Sequence, residues 1–125
     1  MINIMEIEEA VLIEAEDSGQ NVGNLVTEIR FRDRKLGYGE ACRFACSIIG
    51  SLVAEGLITV IKTEYIQEDE DSYAPVISTE LTKEELDKFV SNPDKWDEMK
   101  VFSDTLPFEL RATGKGRERI KKLRG

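Results

Sequence analysis

The segment from Gly39 to Glu55 constrains the fold of this chain more than any other. Ala41, Cys42, Phe44, Ala45, Ile48, Ile49, Leu52 and Val53 recur at spacings that cover most of a helix circumference. Glu40, Arg43, Ser47 and Ser51, at intervals of three or four, leave only a narrow polar stripe. A helix apolar over so much of its surface has to be wrapped by other elements. The run from Ala41 to Ala54 falls short of the roughly 18 apolar residues a membrane span needs, and Arg43 interrupts it. The segment therefore predicts a central core helix, with Gly56 as its stop.

The flanking sequence supplies the wrapping. Asn3 and Glu6 have the spacing of a capping box, and Ile4, Ile7, Val11 and Ala15 repeat at helical intervals up to Gly19. A second helix is predicted from about Asn21, with Val22, Leu25, Val26 and Ile29 on one face, and Phe31 to Tyr38 reads as a turn. Leu57 to Ile66, rich in Ile, Val, Thr and Tyr, reads as a strand. Tyr73 to Ile77 returns as a second strand after an acidic tip. Leu81, Thr82, Glu85 and Leu86 combine a capping box with a hydrophobic staple, so a short helix follows and stops before Asn92 and Pro93. Trp96 and Val101 are expected to pin the next loop to the core. Phe108 to Ala112 reads as a last strand and Thr113 as the cap of a final basic helix. No linker or repeat divides the chain, so residues 1–125 are expected to form one domain.

Two segments together resemble the winged-helix superfamily. Ile49-Gly-Ser-Leu-Val-Ala-Glu-Gly-Leu-Ile58 looks like the end of a recognition helix turning into a first wing strand. Phe108-Glu-Leu-Arg-Ala-Thr-Gly-Lys-Gly-Arg-Glu-Arg-Ile120 is similar to a returning wing strand followed by a closing helix. The resemblance covers residues 3–66 and 106–124, with about 67–105 as an enlarged wing. It implies an α+β, winged-helix-like architecture: three N-terminal helices, a small antiparallel sheet with an inserted short helix, and a C-terminal helix. It also implies DNA binding, with the third helix in the major groove and the wing beside it.

The charge pattern departs from that implication. Net charge is −8, and it is segregated. Residues 1–29 hold seven acids and no base, and residues 44–110 hold fifteen acids against five lysines. Residues 30–43 carry five bases against two acids, and residues 111–125 carry seven bases against one acid. The wing tip is Glu68-Asp69-Glu70-Asp71, which would meet phosphate with like charge. The third helix offers a base edge only Arg43, Ser47 and Ser51, a poor set for bidentate readout. Arg30, Arg32, Arg34 and Lys35 ahead of that helix, with Lys115 and Arg117 near the C-terminus, remain as candidate phosphate contacts.

Common enzyme chemistries find little material. The chain has no histidine, which removes Ser-His and Cys-His nucleophiles and the commonest metal ligand. Cys42 and Cys46 share a helix face with no other soft ligand nearby, and read as reduced core thiols suited to the cytoplasm. The acidic run lacks the spaced ligands and glycine of a calcium loop. Gly114-Lys115-Gly116 lacks the flanking residues of a P-loop. The N-terminal residues, acidic and without Lys or Arg, are the reverse of a targeting segment. No metal or cofactor is expected, and no membrane association.

The expectation is therefore a non-enzymatic binding module whose acidic surface engages a basic protein, as an immunity protein, antitoxin or inhibitor engages a nuclease. Its candidate contact residues are Glu64, Glu68, Asp69, Glu70, Asp71 and Tyr73. The alternative is a DNA-binding regulator, possible as a homodimer, using Arg30, Arg32, Arg34, Lys35, Arg43, Ser47, Lys115 and Arg117.

Overall fold

The computed structural model describes residues 4–17, 19–102 and 107–123. The elements are α1 (Ile4–Asp17), β1 (Gln20–Asn21), α2 (Val22–Arg32), α3 (Tyr38–Ala54), β2 (Ile58–Gln67), β3 (Tyr73–Glu80), α4 (Lys83–Ser91), a single 3-10 turn (Pro93–Lys95), β4 (Phe108–Ala112) and α5 (Gly114–Leu123). The protein is α+β, with three helices before the main strands, a four-stranded antiparallel sheet, a short helix inserted between strands, and a closing helix. The strand order is β1-β4-β2-β3.

Local chemistry sets most of the boundaries. The Asn21 side chain accepts from the Gly23 amide at 3.0 Å and starts α2. α3 ends in a Schellman arrangement. The Gly56 and Leu57 amides donate back to the Val53 and Leu52 carbonyls, and Gly56 takes φ 74°, which favours glycine. At α4, Thr82 Oγ1 accepts from the Glu85 amide at 3.2 Å while the Glu85 carboxylate accepts from the Thr82 amide at 2.9 Å. That bond from the Thr82 amide holds the Glu85 carboxyl below its ordinary pKa. Thr113 caps α5 through its hydroxyl, which accepts from the Gly116 amide and donates to the Gly56 carbonyl at 2.6 Å.

Two sequence expectations are corrected and one element is new. The turn predicted over Phe31 to Tyr38 is only residues 33–37. α2 keeps its amides paired through Arg32, and the Asp33 amide still donates to the Ile29 carbonyl. β3 continues past Ile77 to Glu80, because Ser78, Thr79 and Glu80 pair with Thr63, Lys62 and Ile61. β1, two residues long, had no periodicity to reveal it; it exists because Gln20 and Asn21 fall opposite Leu110 and Glu109 of β4. Asn3 lies outside the described residues.

The core forms round α3, whose Ala41, Cys42, Ala45, Cys46, Ile48, Ile49 and Leu52 are buried. Ile7, Val11 and Ala15 of α1, Leu25, Val26 and Ile29 of α2, and Val60, Phe108 and Leu110 of the sheet close on it. The inserted segment is part of the same core. Phe89 of α4 has its ring centroid 5.0 Å from both Trp96 and Phe108, all three being fully buried. The Trp96 Nε1–H donates to the Phe89 carbonyl at 3.0 Å, so the indole satisfies its one polar group while filling the core. Val101 is buried as expected.

Candidate protein-docking hairpin

β2 is twice the length of β4, and that mismatch makes the hairpin. From Ile58 to Lys62 the strand pairs with β4, and from Ile61 to Gln67 it pairs with β3. The Thr63 amide still reaches the Pro107 carbonyl at 2.9 Å. Beyond that point the described residues pair β2 with β3 alone. Residues 64–67 and 73–77 thus form a two-stranded ribbon reaching about 13 Å past the sheet at about 3.3 Å per residue.

Among the described residues, eight large apolar side chains stand exposed, and five of them, Tyr65, Ile66, Tyr73, Val76 and Ile77, are on this ribbon. The register sorts them. Tyr65 faces Pro75 and Gln67 faces Tyr73, so both tyrosines lie on one face. Ile66 faces Ala74 and Glu64 faces Ile77, so both isoleucines lie on the other. Pairing jumps between Glu64 and Tyr65, leaving Val76 as the extra residue of a β-bulge.

The tip is built rather than loose. The Glu68 amide donates to the Ser72 carbonyl at 2.9 Å, and the Asp69 carboxylate accepts from the Asp71 amide at 2.9 Å. The latter bond holds the Asp69 carboxyl below its ordinary pKa. Glu64, Glu68, Asp69, Glu70, Asp71 and Tyr73 are therefore gathered on one arm with all six exposed. Sequence reading missed Tyr65, Ile66, Val76 and Ile77. Their strand-like sequence reads the same whether a strand face is covered or open.

The candidate basic residues are divided. Arg30 and Arg32 are in the last turn of α2, Arg34 and Lys35 in the following turn, and Arg43 on the exposed stripe of α3. Arg32 is held by Glu28 at 3.3 Å. Ser47 is exposed one turn beyond Arg43, with its hydroxyl donating to the Arg43 carbonyl at 3.2 Å. Lys115 and Arg117 lie at the far end of α3. The Lys115 stem runs beside Gly56, and the Arg117 guanidinium donates to the Ala112 carbonyl at 3.2 Å. Along the helix the far end at Ala54 lies about 24 Å from Tyr38 and about 17 Å from Arg43. That is well beyond the screening length of about 8 Å at physiological salt, so they do not act as one patch.

Cys42 and Cys46 are buried and free, and burial pushes the Cys46 thiol up to about 12. No group of three or more potential metal ligands gathers among the described residues. No described helix is long and apolar enough to cross a membrane.

Comparison with protein-family models, with curated proteins and with solved structures gives no match.

Proposed function

We propose that this protein is a non-enzymatic binding module on a winged-helix-like scaffold, and that its β2–β3 hairpin is an arm that enters a cationic cleft of a partner protein. The observation that carries the reading is an exposed ribbon, apolar on both faces, ending in four consecutive acids. Water is a poor environment for either face, and clustered apolar exposure of this kind marks an interaction surface. Tyr65 and Tyr73 supply rigid aromatic anchors, with Ile66 and Ile77 on the reverse side. The tip supplies steering and sign: it is attracted to lysine- and arginine-lined clefts and repelled from nucleic acid. A nuclease-type partner has such a cleft, and an inhibitor or immunity protein would act by filling it.

The arm docks by its faces rather than by adding a strand. Pro75 lacks an amide hydrogen and the bulge at Val76 breaks the register, two devices that blunt an edge against strand addition.

The alternative, duplex DNA binding through α3, draws on the exposed Arg43 and Ser47 with Arg30, Arg34 and Lys35 nearby. The acidic arm opposes it.

The test is affinity capture from nuclease-treated native lysate, comparing the wild type with a face variant (Ile66→Ser with Ile77→Ser) and a tip variant (Asp69→Lys with Glu70→Lys). One basic protein held stoichiometrically by the wild type and lost by both variants is expected. If both variants recover the same proteins as the wild type, the hairpin is not the docking site. Arg32→Ala with Arg34→Ala is expected to leave this capture unchanged.

A further inference from the structure

We propose that the C-terminal end of α2 is a second, separate site that takes single-stranded nucleic acid, with a base stacked on Phe31 and adjoining phosphates on Arg30 and Arg34. Phe31 is 72% exposed, more than any other large apolar side chain among the described residues. A lone exposed phenylalanine needs no explanation. This one is not alone. The Arg34 guanidinium lies 5.5 Å from its ring centroid, and Arg30, Phe31, Arg34 and Thr27 line one shallow depression of about 300 Å³.

The charges here are available. Arg32 is committed to Glu28, but no described carboxylate forms an ion pair with Arg30, Arg34 or Lys35. A largely exposed aromatic ring with one guanidinium over it and a second beside it, neither ion-paired among the described residues, suits a ligand that is itself flat and anionic at once. A nucleotide within a single strand is such a ligand: the base stacks on the ring, and phosphates on either side meet the arginines. A duplex keeps its bases stacked on each other and offers this site only phosphates, so Phe31 would be idle. An acidic segment without aromatic residues, such as polyglutamate, would use the arginines and bring no ring to stack on Phe31. The site shares no residue with the hairpin and does not depend on the docking reading; the excess of acid elsewhere limits attraction to the screening range around the patch.

The probe is a fluorescently labelled oligothymidylate of about 12 nucleotides, followed by anisotropy at low and high salt against the same strand in duplex form. The single strand is expected to bind more tightly than the duplex. Phe31→Ala is expected to weaken single-strand binding about 10-fold or more while Phe31→Tyr retains it. Arg34→Ala is expected to weaken binding and to reduce the salt slope by about 0.7. Absence of single-strand binding at low salt overturns the proposal, as does an affinity untouched by Phe31→Ala. So does displacement by polyglutamate as effective as by unlabelled oligothymidylate, which would mean that only charge is read. Because Phe31 is a surface residue, a folding defect does not obscure the result, and the tip variant Asp69→Lys is expected to bind the oligonucleotide at least as well as the wild type.

Discussion

Phe89→Ala measures whether the inserted segment belongs to the cooperative core or merely rests on it. The Phe89 ring is fully buried between Trp96 and Phe108, each 5.0 Å away centroid to centroid. Truncation removes the ring but leaves the Phe89 carbonyl that accepts from the Trp96 indole, so the loss is one of packing rather than of that hydrogen bond. A buried Phe→Ala change costs about 3–5 kcal/mol. Its aromatic neighbours, which do not collapse readily into the space, place this one near about 4 kcal/mol. That is a large part of the roughly 5–15 kcal/mol that holds a domain folded. For 125 residues the melting temperature is expected to fall by about 15 °C. With a urea slope of about 2 kcal/mol/M, the midpoint falls by about 2 M. Trp96 is the chain's single tryptophan and sits inside the contact, so its emission reports the insert while far-UV circular dichroism reports the helices. Coincident transitions are expected in the wild type. A loss under about 1 kcal/mol, or Trp96 emission that changes at a urea concentration where the dichroism is still native, would refute the integration of residues 81–101 into the core.

Two further outcomes follow from the packing. Gly116→Ala puts a methyl group onto the Leu57 carbonyl oxygen, which cannot retreat because it accepts from the Thr113 amide at 3.0 Å. The helix-propensity gain of about 1 kcal/mol is expected to be outweighed, with a net loss of about 2 kcal/mol in urea unfolding; a stabilised variant would contradict the close approach of α5 to Leu57. The Cys46 thiol, raised by burial from 9.0 to about 12, keeps its proton in the folded state where the unfolded chain releases it. Stability is therefore expected to fall as pH rises from about 9 towards 12, less steeply in Cys46→Ala, and the native protein is expected to resist thiol reagents at neutral pH. Equal slopes in the two proteins would show that Cys46 does not titrate as described.

The legible part of the fold was the part governed by short-range chemistry. Asn21, Gly56, Thr82 and Thr113 mark boundaries because each satisfies or releases backbone groups within a few residues of itself. The near-continuous apolar surface of α3 identified the core helix for the same reason: its spacing is a property of the helix alone. β1 was invisible because two residues carry no period, and its existence depends on Leu110 and Glu109 arriving opposite it.

The candidate site divides along the same line. Sequence order already placed Glu68, Asp69, Glu70 and Asp71 together, and composition fixed the sign of their charge. Tyr65, Ile66, Val76 and Ile77 have strand-like sequence whether they are buried or exposed; the tertiary structure leaves them exposed on the ribbon that β2 and β3 carry past the end of β4. Phe31 stands in solvent because, two residues past Ile29, it projects from the side of α2 opposite the packed Leu25, Val26 and Ile29. The separation of Arg30, Arg34 and Arg43 from Lys115 and Arg117 is likewise a tertiary result, set by the length of α3. Local rules act over a few residues and can be read from one chain, whereas burial and charge clustering depend on which distant segments meet. The sequence determined the helices, their caps and the sign of each surface; the tertiary structure decided which apolar side chains were left for a partner.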